Sequence, residues 1–215
     1  EERHLTTNQT AAPMSIASKR PQDNDFTLKI GNVNGTGSAS ANSMLMKSLF
    51  RMGIPVCGKN YFPSNIQGLP TWYEIRVNAE GHLARSGRVD VMIAMNAETY
   101  RKDHSEVATG GYLIYDSTWP RSQLFNRADI HILGVPLSRI CNENFDNARS
   151  RILMKNIMYV GVLAALLDLD MNIIKQLLNE QFAAKASLLD ANQKAIDLGF
   201  AYAREHFSCP LPFRA

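Results

Sequence analysis

The sequence predicts an α/β fold, with a Rossmann-like, mostly parallel sheet flanked by helices and a helical C-terminal third. Three observations carry that prediction. The apolar period switches from two to helical within one stretch, residues 25–50. Mostly apolar runs at 89–95, 112–116 and 130–136 have the length of strands buried on both faces, as in parallel sheets. The last third reads as helix, so strands and helices alternate before it in the manner of βα units.

In chain order, residues 1–24 are polar, with Pro13 and Pro21 and no periodicity, and read as a flexible tail. Phe26, Leu28 and Ile30 alternate with polar residues and predict a strand. Asn34, Gly35, Thr36, Gly37 and Ser38 then form a turn whose residues tolerate positive φ. Leu45, Leu49 and Met52 fall on one helical face, and Gly53 is placed to stop that helix. Ile54–Cys57 reads as a short second strand, Gly58–Pro70 as a loop, and Trp72–Val77 as a strand with Tyr73, Ile75 and Val77 on one face. Residues 78–81 make a turn, after which His82 and Leu83 form a short arm pairing back.

Asn96 closes the strand at 89–95, and Ala97–His104 is a short polar helix. Gly110 and Gly111 break the chain before the strand Tyr112–Asp116. Helices follow over Ala148–Leu167, Asn172–Phe182 and Ala191–His206. Within the first of these, the uncharged run Ile157–Leu167 falls short of the roughly 20 residues a bilayer requires, which predicts a buried helix.

A chain of 215 residues fits one domain with a substantial core. A formal charge of +3 without a cationic run does not indicate a nucleic-acid partner, and nothing indicates a membrane. Cys57, Cys141 and Cys209 are odd in number and far apart. They exclude an iron–sulfur or zinc site built from this chain's cysteines alone and suit a reducing cytoplasm, as does the lack of a leader-type apolar segment. The start at Glu1 and the Pro210–Ala215 end suggest a piece of something longer.

The turn Asn34–Ser38 is the leading functional candidate. Backbone N–H groups and the positive end of a helix dipole converge there, which suits a phosphate or carboxylate. The spacing of Gly31, Gly35 and Gly37 is neither a dinucleotide fingerprint nor a phosphate-binding loop with Gly-Lys-Ser/Thr, and a tight turn without a ligand accounts for the glycines equally well. Lys59 follows the second strand, where a nicotinamide fold places an acidic residue; this counts against NAD and offers either a phosphate partner or a plain surface lysine. Asn65 and Gln67 supply amides in the 64–68 loop, and Asn156 stands just ahead of the apolar run. His131, between Ile130 and Ile132, reads as a packed strand histidine. With no H-E-x-x-H, G-x-S-x-G or apolar carboxylate pair, the chain does not form a complete catalyst by itself.

The segments 31–42, Gly53-Ile-Pro-Val56 and above all Phe62-Pro-Ser-Asn-Ile-Gln-Gly-Leu-Pro-Thr-Trp-Tyr-Glu-Ile-Arg-Val77 resemble the gamma domain of 2-oxoacid:ferredoxin oxidoreductases. The form in which that domain is the N-terminal part of a fused alpha subunit is most similar. The likeness extends through Asp90–Asn96, Tyr112–Asp116, the Asn156 helix and Asn192–Gly199. It implies a part in the thiamine diphosphate-dependent conversion of a 2-oxoacid to an acyl-CoA. Residues 25–208 would be the gamma-type domain and 209–215 the start of a linker to an alpha region. Coenzyme A would be held at Asn34–Ser38, with Lys59 adding charge and Asn65, Gln67 and Asn156 orienting its pantetheine amides or the substrate by neutral hydrogen bonds. Many members carry Gly-x-Gly-Gly-Gln-Gly in the first loop, where this chain has Asn34-Gly-Thr-Gly-Ser38. Thiamine diphosphate with magnesium and the iron–sulfur clusters would lie in partners, a thiamine diphosphate-binding beta subunit and the alpha region, with ferredoxin as acceptor. The alternatives are an assembly domain without a ligand and a free-standing Rossmann-like nucleotide-binding protein.

Overall fold

The computed structural model describes residues 22–62, 66–84 and 87–215. Its strands are β1 (Gln22–Asp23), β2 (Asp25–Val33), β3 (Val56–Tyr61), β4 (Pro70–Asn78), β5 (Val89–Ala94), β6 (Val107–Asp116), β7 (His131–Val135) and β8 (Phe213–Arg214). The helices are α1 (Ser38–Arg51), α2 (Tyr100–Glu106), α3 (Leu137–Asn144), α4 (Ala148–Leu167), α5 (Met171–Phe182) and α6 (Ala186–His206).

A six-stranded sheet runs in the order β3-β4-β2-β5-β6-β7. β2, β5, β6 and β7 pair in parallel, while β4 is antiparallel to both β2 and β3. The expected mostly parallel sheet is therefore present, with one reversed strand between β2 and β3. That reversal moves Lys59. The residue lies inside β3, opposite Glu74 and through it Lys29, and not after the strand. The segment expected as one loop from Gly58 to Pro70 contributes residues to β3 and β4. Gly110 and Gly111 lie within β6, and His82 and Leu83 belong to no strand.

The two faces of the sheet carry different chemistry. Phe26, Leu28 and Ile30 of β2 line up with Val77 and Ile75 of β4 and with Val91 and Ile93 of β5, all buried against the helices. The other face holds Met92, Leu113 and Tyr115 under α2, and then a polar band. In that band Lys29 pairs with Glu106, and Asp103 accepts from the Trp72 indole N–H at 2.7 Å and from the Thr99 hydroxyl at 2.8 Å. A Cβ at Gly31 would meet an Asp103 carboxyl oxygen at 2.7 Å, so the glycine makes room for a buried carboxylate. Burial pushes the Asp103 carboxyl above its ordinary range, against those two donors.

α4 is the central helix. It is long and apolar enough by length and composition to cross a membrane, and 72% of its most apolar window is buried in the fold. It crosses α6 at two glycines: a Cβ on Gly161 would fall 2.1 Å from the Ile196 carbonyl oxygen, and one on Gly199 would fall 2.1 Å from that of Met158. The far end of α4 is capped by the segment expected as a linker. Leu211 N–H donates to Leu166 O at 2.7 Å and Ala215 N–H to Leu167 O at 2.8 Å, satisfying carbonyls that a helix terminus otherwise leaves open. Phe213 is fully buried, and β8 pairs in parallel with β1, so residues 211–215 pack onto the domain. The pairing of Gln22–Asp23 likewise brings structure into the last residues of the expected tail; residues 1–21 lie outside the described residues.

Candidate functional site

β2 delivers the chain to the carboxyl edge of the sheet, and α1 begins there. Between them Gly35 and Gly37 adopt φ of 87° and 86°, a left-handed conformation that glycine takes at no steric cost. Gly37 caps α1 without a side-chain bond, and the first turn of this 14-residue helix carries no acidic residue. Its first N–H groups thus face outward with the positive end of the dipole.

The turn is held from beneath by a buried amide network. The Asn32 amide donates to Asn156 Oδ1 at 2.9 Å, and Asn156 Nδ2 donates to Thr36 O at 2.7 Å. The Thr36 hydroxyl donates to Val33 O at 2.8 Å and reaches Asn32 Oδ1 at 3.2 Å. One helical turn along, Tyr159 OH donates to Asn42 Oδ1 at 2.8 Å, tying α4 to α1. Complete burial drives the Tyr159 phenol far above its ordinary pKa, so it stays a neutral donor.

A second loop covers the turn from the side. Asn34 N–H donates to Leu69 O at 2.8 Å, Gly68 N–H donates to Asn34 O at 3.0 Å, and Asn34 Nδ2 reaches Ile66 O at 3.2 Å. Gln67 lies over Gly35, where a Cβ would approach its Cγ to 2.6 Å. Over Gly37 a Cβ would meet Leu153 Cδ2 at 2.4 Å. Neither glycine therefore tolerates a side chain without displacing its neighbour. The Cβ side of both glycines is thus filled by the chain's own Gln67 and Leu153, and a ligand would be met by the N–H groups at the start of α1, beside the exposed Gly35, Ala39 and Ser40.

The structure thus brings Asn34, Gly35, Thr36, Gly37, Ser38, Gln67 and Asn156 together at one place. Asn156 is buried and already bonded, so it shapes the turn from below. Lys59 is not brought in. Its row of the sheet includes Lys29, four residues before the end of β2, or about 13 Å along the strand at the usual rise. Its ammonium sits 5.3 Å from the Tyr61 ring centroid. Asn65 lies outside the described residues. Asn32 escaped the sequence reading, although it shares the strand parity of Phe26, Leu28 and Ile30: a polar residue on an otherwise apolar face was the available signal.

The same edge carries exposed apolar side chains. Phe62, Ile66 and Leu69 border the turn on one side, and Ile152 and Trp119 lie on the other, toward the ends of β6 and β7. Cys57 is exposed, Cys141 buried and Cys209 half-buried, all as free thiols, and among the described residues no three His, Cys, Asp or Glu side chains cluster as a metal site.

Residues 27–202 match the family model described as pyruvate ferredoxin/flavodoxin oxidoreductase. The chain is 24% identical, over 86% of its length, to the 2-oxoacid:ferredoxin oxidoreductase 2 subunit alpha of Aeropyrum pernix, of which it covers 35%. Its fold superposes with a TM-score of 0.77, at 24% identity, on a 2-oxoglutarate:ferredoxin oxidoreductase from Magnetococcus marinus solved with 2-oxoglutarate, coenzyme A and succinyl-CoA bound. That match covers 90% of this chain and 33% of the other. The keto/oxoacid ferredoxin oxidoreductase gamma subunit of Geobacter sulfurreducens is matched over 99% of its length and 84% of this chain, at a TM-score of 0.64 and 15% identity. The chain therefore spans about a third of the two longer relatives, and nearly the whole of the last.

Proposed function

The chain belongs to the pyruvate ferredoxin/flavodoxin oxidoreductase family, and we propose that it is the domain that holds coenzyme A while partner regions convert a 2-oxoacid to its acyl-CoA. In that reaction the oxoacid would lose CO₂, its acyl group would pass to the sulfur of coenzyme A with release of the thiol proton, and iron–sulfur clusters held by partner regions would take up the two electrons for a ferredoxin acceptor. Thiamine diphosphate, when bound by a partner subunit, supplies the carbanion chemistry. The work of this chain is binding and positioning.

The observation that carries this reading is the turn of Gly35 and Gly37, with positive φ at both, leading into a start of α1 that has no side-chain cap and no acidic residue in its first turn. It supports an anion held by backbone N–H groups, and coenzyme A carries such groups in its pyrophosphate. The uncharged surroundings, Asn34, Thr36, Ser38 and Gln67, suit the amides of a pantetheine arm better than a second charged ligand. The coenzyme A bound in the Magnetococcus relative points the same way.

Calorimetric titration of coenzyme A into the assembled enzyme tests it. Gly35→Val and Gly37→Val are each expected to weaken binding at least tenfold, or about 1.4 kcal/mol. Unchanged affinity and turnover in both would overturn the assignment.

A further inference from the structure

On the face of the sheet turned away from α4, a hollow of 540 Å³ lies between α2 and the short 3₁₀ helix Ser122–Asn126. Tyr100, Arg101, His104, Leu124, Asn126 and Arg127 are among its lining. It sits at the amino edge of the sheet: α2 ends at Glu106, and the next residue, Val107, stands opposite Val89 at the start of β5. The length of β5 from Val89 to Ala94, roughly 16 Å at the usual rise, separates that edge from the one carrying the glycine turn. We propose that this hollow binds a phosphate group carrying one proton, as inorganic phosphate or as the monoester of a small molecule, at a site separate from that of coenzyme A.

His104 is the residue that points to a ligand. It is 6% exposed, and its Nε2 has no hydrogen-bond partner. Buried polar atoms are nearly always satisfied, so an open one in the lining of a hollow marks a place for a further group. The Leu124 carbonyl accepts from the ring, which leaves Nε2 as the nitrogen with a lone pair. The missing partner is therefore a hydrogen-bond donor.

The charge of the ligand follows from the arginines. Arg127 is spent: Nε and Nη2 donate to Asp129 at 2.9 and 2.7 Å, and Nη1 donates to the carbonyls of His104 and Val107. Arg121 lies against the Tyr100 ring, 5.5 Å from its centroid. Arg101 stands exposed at the rim with no hydrogen bond or ion pair, and among the described residues no carboxylate lines the hollow. Its planar fork suits an oxyanion. Asp129, the acid nearest this group, is held well below the usual carboxylate range by Arg127, and burial raises the Tyr100 phenol, so neither changes charge near neutral pH.

The ligand thus needs a negative charge for Arg101 and an O–H for Nε2. A phosphate monoester, whose second pKa is about 6, offers both near neutral pH. A carboxylate, ionised from about pH 4, offers charge without the hydrogen, and so does sulfate. Tyr100 and Leu124, both almost wholly buried, supply an apolar wall, and the volume lies within the roughly 300–1,000 Å³ of sites that enclose a whole ligand. Counted from the phosphate dianion, binding takes up one proton, which is shared between a phosphate oxygen and Nε2; no covalent bond to carbon or phosphorus changes.

The test is calorimetric titration of the assembled enzyme with inorganic phosphate, phenyl phosphate and sulfate, in buffers of different ionisation enthalpy and with or without coenzyme A. Both phosphates are expected to bind with net proton uptake, and sulfate at least tenfold more weakly. Arg101→Gln should weaken phosphate binding about tenfold, and His104→Gln, whose amide donates without titrating, should abolish the proton uptake. The coenzyme A KM should be the same in both variants. Tighter binding of phenyl phosphate identifies a monoester as the ligand, and equal binding identifies free phosphate. Sulfate held as tightly as phosphate, displacement of the probes by coenzyme A, or phosphate affinity unchanged in Arg101→Gln would each overturn the proposal. Should His104→Gln not fold, Arg101→Gln, at an exposed position, decides alone.

Discussion

Asn32 and Asn156 meet through one hydrogen bond of 2.9 Å across 124 positions of sequence, and that bond joins the end of the first long strand to the central helix beneath the turn. Both side chains are almost wholly buried, so removing either leaves a polar partner without water to replace it. Asn156→Leu is expected to cost about 1–3 kcal/mol of stability and to loosen the turn. Thermal melting, combined with the coenzyme A KM, checks both halves. A variant that melts normally and keeps its KM contradicts the role given to Asn156.

Lys59 provides the opposite expectation. It stands in β3, in a row about 13 Å short of the strand end that carries the turn. Lys59→Ala should leave the coenzyme A KM within twofold of the unsubstituted enzyme. A larger rise would place a phosphate near β3 and move the site.

Gly161 faces the Ile196 carbonyl at a distance no Cβ tolerates, and the obstacle is backbone. Gly161→Ala is expected to force α4 and α6 apart, at a cost of about 3 kcal/mol, the upper end of overpacked cores. Denaturant unfolding should show a lowered midpoint. Gly53, with open space around its Cβ position, is the control: Gly53→Asn, a residue that accepts positive φ, should be nearly silent.

His104 gives a pH dependence. It is buried with Nε2 unpartnered, and burial, followed by the charge of Arg127, holds its imidazole below the ordinary value of 6.5. The unfolded chain takes up the proton first as pH falls. The stability that the neutral imidazole contributes is therefore complete above about pH 6.5 and is lost as pH falls through the lowered folded value. Urea midpoints should fall between about pH 7.5 and 5 in the parent and fall less in His104→Gln.

The period switch from Phe26, Leu28 and Ile30 to Leu45 and Leu49 placed β2, the turn and α1, because local pattern decides such elements. Burial of 157–167 was legible for the same reason. Strand order was not. Nothing local in 54–77 distinguishes a βα crossover from a hairpin of β3 and β4, and that choice decided where Lys59 went. The polar band of Lys29, Asp103 and Glu106 was hidden too, since its partners are far apart in sequence. The same holds for the site: the glycines announced themselves, whereas the role of Asn32 depends on which helix lies beneath it. The contacts of residues 211–215 were hidden as well: Leu211 and Ala215 bond to carbonyls at the end of α4, more than 40 positions earlier in the chain.

The crossing of α4 and α6 at Gly161 and Gly199 has a consequence for the turn at the far side of α4. Where two helices touch through side chains, each replacement at the contact resets their separation, and whatever they carry drifts with it. Here the separation at the crossing is fixed by main chain against main chain. That direct contact sets the height of α4 under the turn. Two absent methyl groups thus set the position of the helix that carries Asn156, and with it the floor of the turn.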